Sequence, residues 1–163
     1  LNSISELVYI DQKKSEFALI RLAAFLRNAI KQESLIPLYK ELEMVATYVD
    51  IENIRFENKI HLQVQIDKEI QACMVPKFSI QLLVENAIKH GYQSDNLLIH
   101  VSSDKNTLHV SNSGKLSENF DFGTGLNNLK SRLGLLGVGK LTHGIKDDKM
   151  LFSIHLNKEK QCE

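Results

Sequence analysis

The chain has 163 residues, 43% hydrophobic and 25% charged, the make-up of one ordinary globular domain carrying at most a small helical extension. Twenty basic side chains cancel twenty acidic ones, which excludes a general attraction for nucleic acid or an anionic membrane while leaving room for a local basic pocket. Cys73 and Cys162 lie far apart without CxxC spacing and imply free thiols, and no apolar run approaches the ~20 residues of a bilayer span, so a cytoplasmic chain is expected.

Leu1, Ile4, Leu7 and Val8 recur at helical spacing, and the chain starts inside that pattern, as a fragment of something longer would. After the polar break "DQKKS" a second helix is expected from Ser15, with Leu19, Leu22, Ala23, Leu26 and Ile30 as its apolar stripe. The pair reads as a helical hairpin over residues 1–31 that packs on another surface. Pro37 closes it, because proline disfavours helical geometry at Ile36. Leu38, Leu42, Val45 and Val49 then predict a third helix to about Asn53.

From Lys59 the period changes to two, with Ile60, Leu62, Val64 and Ile66 alternating as in a half-buried strand. Pro76 is expected to open the next helix, whose apolar positions are Ile80, Leu83, Val84, Ala87 and Ile88. "LLIHVSSD" and "TLHVS" around "DKN" predict one antiparallel hairpin, and "KLTHGI" and "MLFSIHL" around "KDDK" predict another. Between them stand the polar run "NSGKLSENFDFGTG" and a helix "LNNLKSRLGL". Helices and antiparallel strands are mixed without regular alternation, so the class is α+β with helices on one face of a sheet.

"GLLGVGKL" fits most of a phosphate-binding P-loop. The chemistry of that loop needs a strand before it, a helix after it and a hydroxyl after the lysine. Here a helix precedes, a hairpin follows and Leu141 takes the hydroxyl position, so the stretch reads as a glycine-rich helix-to-strand turn. His61, His100, His109, His143 and His155 lie singly on strands without metal-ligand spacing and read as sheet surface. No nucleophile motif such as G-x-S-x-G is present.

"VENAIKHG" is more informative. On a helix, Lys89 and His90 stand about −60° and +40° from Asn86, so the three share one side of an otherwise apolar element. A solvent-facing polar stripe would explain that cluster in an isolated helix. The remote pair "NSG" and "GTGL" argues otherwise, since glycines at both ends of a polar segment admit a ligand close to the backbone. "GTGLNNL" also puts a glycine turn directly before a helix N-terminus, where free amides and the helix dipole favour a phosphate. A carboxamide oxygen can complete a Mg²⁺ shell, and a lysine supplies a point charge to a phosphate chain.

These stretches carry a resemblance. "VPKFSIQLLVENAIKHG" resembles the N-box of the ATP-binding domain of sensor histidine kinases of the LytS/YesM type, and "NSG" and "GTGLNNLKSRL" are similar to that family's two glycine boxes. "LIPLYKELEMVATYVDIENIRFENKI" resembles the family segment with L-x-x-E-L and Y-x-x-I-E-x-x-R-F between the dimerisation helices and the nucleotide domain. The resemblance implies a GHKL (Bergerat-type) two-layer α+β sandwich over residues 32–163, with a largely antiparallel mixed sheet covered by helices. Residues 1–31 would be the remnant of the dimerisation and phosphoacceptor helices.

The resemblance further implies that Asn86 ligates Mg²⁺ and that Lys89 and His90 contact ATP phosphates. Asn112 would face the adenine edge, Gly114 would let the base approach, and Gly123, Thr124, Gly125 and Leu126 would form the lid turn, with Asn128 a turn further on. Three departures refine this. Asn112 and Leu116 replace the Asp and second Gly of D-x-G-x-G, and a neutral hydrogen bond contributes about 0.5–1.5 kcal/mol against roughly 1.5–3 for a charged one, so weak ATP binding is expected. Leu82 stands where related ATPases carry a general-base Glu, and Glu85 is expected to pair with Lys89 at i, i+4, so ATP should be held without efficient hydrolysis. "LN" at Leu1 and Asn2 looks like the end of the H-F-x-F-N-x-L-N phosphoacceptor run, whose histidine would lie upstream.

The implied protein is the catalytic portion of a bacterial two-component kinase: a homodimer, supplied with Mg²⁺ and ATP, that passes phosphate to a response regulator and is anchored to the membrane only through upstream sequence. The competing reading is a GHKL scaffold that has lost catalysis and works as a dimerisation or partner-binding module.

Overall fold

A computed structural model describes residues 33–93, 95–114 and 122–157, together with Gln12, Lys13, Ser15, Glu16, Leu19, Ile20, Leu22, Ala23 and Leu26. Those nine are helical, and because Gln12 and Lys13 are helical already, helical structure is present before Ser15 rather than starting at it. The helix expected over Leu1–Val8, and most of the hairpin, fall outside the described residues.

The ordered core begins with a short strand, β1 (Leu35–Pro37), followed by helix α1 (Leu38–Arg55), whose N-terminus lacks a side-chain cap. Its first donors go instead to the segment before β3 (Met74–Pro76): Leu38 N–H to Cys73 O and Tyr39 N–H to Gln71 O, both at 2.9 Å. β1 and β3 pair antiparallel, with Leu35 opposite Pro76 and Pro37 opposite Met74. Pro76 therefore ends a strand rather than opening a helix, and helix α2 starts three residues later (Ser79–Gly91). This two-stranded sheet was not legible in the sequence, because three-residue strands carry no periodicity to read. Cys73 is disulfide-bonded with its partner outside the described residues, which corrects the free-thiol expectation; separation along the chain says nothing about the ~4–7 Å Cα spacing that a bridge requires.

The main sheet has the order β2-β4-β5-β7-β6, where β2 is Ile60–Gln65, β4 Leu97–Asp104, β5 Thr107–Asn112, β6 Gly139–Lys146 and β7 Lys149–Leu156. β2 and β4 are parallel and every other pair is antiparallel. Both predicted hairpins are present. Helix α3 (Thr124–Leu136) lies between them in sequence.

Alternation sends Leu97, Ile99 and Val101 from β4, Leu108 and Val110 from β5, and Phe152 and Ile154 from β7 to one face, where each is 2% exposed or less. Against that face pack Ile80, Leu83, Val84, Ala87 and Ile88 of α2 and Leu126, Leu129 and Leu133 of α3. At roughly 25 cal/mol per Å², each fully buried Leu or Ile contributes about 1.5–3 kcal/mol, so this contact fixes where α2 and α3 lie on the sheet. The result is the expected two-layer α+β sandwich. α3 stops at Gly137 (φ 65°), where Val138 N–H returns to Leu133 O, so "GLLGVGK" is a helix-ending glycine turn and not a P-loop.

Candidate functional site

α2 enters the core with a left-handed residue, Phe78 (φ 65°), and no cap of its own. Glu41, on α1 and fully buried, reaches across and accepts from Phe78 N–H at 2.9 Å through Oε2 and from Ile80 and Gln81 N–H at 3.0 and 3.2 Å through Oε1. Burial pushes the Glu41 carboxyl above its ordinary range, and these three amides and the Arg132 guanidinium pull it back. Arg132, on α3, donates to Lys77 O at 2.6 Å, so the same turn is held from both sides. Asn53 performs a similar task at the other end of α1, accepting from Ile60 N–H and donating to Ile60 O in place of a neighbouring strand. Arg55 pairs with Glu52 at 2.8 Å and lies over Phe56, whose ring meets Tyr92 edge-on just past the end of α2. The motifs around Glu41 and Tyr48–Phe56 thus position α2. In the sequence the signal for this role is an acidic residue among apolar helix positions.

Along α2, Leu82 touches the backbone of Gly125: a Cβ on Gly125 would stand 3.2 Å from the Leu82 methyl. Asn86, one turn later and half-buried, donates from Nδ2 to Leu82 O at 2.7 Å, which leaves its Oδ1 as the atom for a ligand. Lys89 and His90 follow, both exposed. At the helix end, Gly91 packs on the opposite glycine element: a Cβ on Gly114 would collide with Gly91 O, and a Cβ on Gly91 would collide with Asn112 Nδ2. Gly114 has φ 121°, a conformation that also requires glycine. The two glycine elements, about forty residues apart from the N-box in places, therefore close on the two ends of one helix.

Asn112 is buried, and Nδ2 donates to Ser113 O at 3.1 Å, so its Oδ1 is the acceptor that remains. Gly123 is different from Gly114. Its backbone (φ −66°, ψ 176°) suits any residue and nothing lies within 4 Å of where its Cβ would be, so packing among the described residues gives no reason for a glycine. It leads into α3, whose first turn carries no acidic residue and no side-chain cap. Thr124, Gly125 and Asn128 are exposed there, whereas Leu126 is buried in the core and can present only its backbone. Residues 115–121, between the glycine elements, fall outside the described set.

One expectation fails on geometry. Glu85 and Lys89 form no ion pair; both side chains are exposed, and Glu85 instead acts on the half-buried Tyr48, whose hydroxyl burial and neighbouring Glu52 and Glu85 push upward. Leu82 occupies the position of a hydrolytic base, and its methyl would lie 3.2 Å from a Cβ on Gly125.

A sheet covered by helices on one face, with a carboxamide-bearing helix spanning two glycine elements, is the architecture of a Bergerat-type ATP-binding domain. Solved structures agree on the fold: the catalytic domain of histidine kinase ThkA superposes with TM-score 0.57 at 18% identity, covering 78% of this chain and 98% of that one. The cytoplasmic segment of histidine kinase QseC gives 0.58 at 14%, covering 91% and 94%. In sequence, the histidine kinase family model matches residues 1–60. The sensor protein LytS of Staphylococcus haemolyticus is 34% identical over 88% of this chain, and that of Bacillus cereus is 30% identical over the same share. The chain belongs to the LytS-type sensor histidine kinases, as part of their catalytic region. It spans only 28% of the length of either relative. Among the described residues no helix is long and apolar enough to cross a membrane.

Proposed function

We propose that this chain is the ATP-binding catalytic portion of a bacterial two-component sensor kinase, acting on a histidine supplied by sequence upstream of it. The observation that carries the reading is the position of Asn86 on α2, with its amide nitrogen tied to Leu82 O and a glycine element against each end of the helix. The residues fit Mg²⁺ and ATP: an uncommitted carboxamide oxygen at 86, an ammonium at Lys89 outside any ion pair, and a glycine at 123 that the described packing does not explain. When bound, Mg·ATP supplies the phosphoryl group. Asn86 would hold the cation, Lys89 and His90 would neutralise the phosphate chain, and the α3 amides at Thr124 and Gly125 would steady its far end. Asn112 Oδ1 would accept from the adenine amino group beside Gly114, and Asn128 would stand at the rim.

The partners follow from the same reading. ThkA has been seen in complex with the response regulator TrrA, in a structure matching this chain at TM-score 0.53 and 19% identity over 90% of it; a regulator of that type would take the phosphate here. Leu19 and Leu26 of the N-terminal helix are 50% and 51% exposed in the single chain, which supports a second copy covering them in a homodimer. The domain would work in the cytoplasm.

Thermal denaturation with and without Mg·ATP tests the proposal: nucleotide at 100 times its dissociation constant should add roughly 2.7 kcal/mol of stability, and no shift at millimolar nucleotide would favour a scaffold without catalysis. The adenine assignment has its own test. Asn112→Asp restores a charged acceptor and should tighten ATP, but not GTP, by about tenfold, the difference between a charged and a neutral hydrogen bond. Weaker ATP binding by that variant would remove Asn112 from the base pocket.

A further inference from the structure

The nucleotide site uses the helical side of the sheet and leaves the other face untouched. Alternation brings His61, His100, His109 and His155 to that second face, each from a different strand. In register, His100 stands opposite Ser111 and Ser102 opposite His109; Ser111 faces Leu151, and Leu151 faces Gly144. No atom lies within 4 Å of where a Gly144 side chain would begin, so the row of side chains stops there. Beside this gap the β6–β7 turn brings Lys146, Asp147 and Lys149 over the sheet. A groove of about 260 Å³ results, in which His100, Ser102, His109, Ser111, Lys146 and Lys149 converge.

The groove is a donor-rich basin. Among the described residues neither lysine is in an ion pair, and Asp147 is the one carboxylate in the lining. His109 is oriented by Ser153, Nδ1 to Oγ at 2.8 Å, which leaves Nε2 unused. Among the described residues His100 has no hydrogen-bond partner. His155, by contrast, is engaged at both nitrogens by Thr107 and Thr142 and stands outside the groove. Burial lowers the His109 pKa; Asp104 opposes that, and His155 and Lys146 add to it. Lys146 and His109 line the same groove. In the lining the two lysines outnumber Asp147.

We propose that this groove binds a small soluble oxyanion of the phosphate type, on the face of the sheet opposite the nucleotide site. The lysines supply charge, and Ser102, Ser111 and the imidazole N–H groups supply directional hydrogen bonds. The half-buried histidines and serines form the floor and the exposed turn forms the rim, so a flat lipid surface would meet the turn before reaching the floor. Among the described residues no three His, Cys, Asp or Glu side chains are grouped to hold a metal, which leaves the histidines as donors rather than ligands.

The test follows the ring resonances of His100 and His109 during titration with inorganic phosphate. Both should shift saturably at fixed pH as phosphate is added. Lys146→Ala with Lys149→Ala should weaken binding by about tenfold or more without lowering Tm, since both side chains are exposed and unpaired. Asn86→Ala should leave phosphate binding at this groove unchanged, which separates the inference from the nucleotide reading. Absence of a saturable shift at the two rings, or an unaltered affinity in the double lysine variant, would overturn it. So would lysine-dependent binding of phosphatidylglycerol vesicles without binding of phosphate.

Discussion

Asn86→Ala should abolish Mg-dependent ATP binding, weakening it by about 100-fold or more, which corresponds to roughly 2.8 kcal/mol, while leaving the fold at least as stable. The second half of that expectation distinguishes a ligand from a structural residue. The contact of the Asn86 side chain is a bond from Nδ2 to the carbonyl four residues earlier on its own helix, and alanine, the best helix former, replaces it at no packing cost. Isothermal titration with Mg·ATP checks the affinity and urea unfolding checks the stability. Asn86→Asp, which keeps an oxygen for the cation, should recover part of the binding. An alanine variant that bound nucleotide normally would remove residue 86 from the site, and with it the kinase reading.

The largest effect on stability is expected at Glu41, which touches no substrate in any reading. Glu41→Ala should cost about 3–5 kcal/mol, because it strips a fully buried carboxylate from three amides at the mouth of α2 and leaves them without acceptors. For a chain of this length that corresponds to a fall in Tm of about 6–20 °C. Glu41→Gln keeps one oxygen and should fall between the two. The pH dependence has a definite sign. Burial raises the folded carboxyl above its ordinary range, so the native state holds its proton more tightly than the unfolded chain. Its contribution is complete below the unfolded pKa and is lost as pH rises through the folded one. Stability of the wild type relative to Glu41→Gln should therefore decline from about pH 4.5 upward, and a wild-type advantage that grew with pH would contradict the assignment.

Much of the fold was legible because its longer elements are strongly periodic. The strand around Ile60–Gln65, both hairpins and the helices around Asn86 and Leu129 follow from spacings of two or three to four apolar residues, and the glycine turn at 134–140 follows from helix-ending chemistry. What stayed hidden were the elements that depend on a distant partner. β1 and β3 exist because each lies beside the other, and the start of α2 is displaced from Pro76 to Ser79 because β3 claims Pro76 and Glu41 caps the amides beyond it. A partner some forty residues away leaves no local signature.

The site divides along the same line. Its residue types and the glycines that flank them were set by the sequence, since a carboxamide, a lysine and close-approach glycines are chemical requirements that can be read one position at a time. Which of those residues present a side chain, and which only a backbone, was decided by packing: Leu126 turns into the core, Gly114 is locked against Gly91 O, and Gly123 stands clear of every described neighbour. The groove on the far face was decided wholly by tertiary structure. Its histidines, serines and lysines come from β4, β5, β7 and the last hairpin, and only strand register, set by which face of each strand is apolar, brings them to one place.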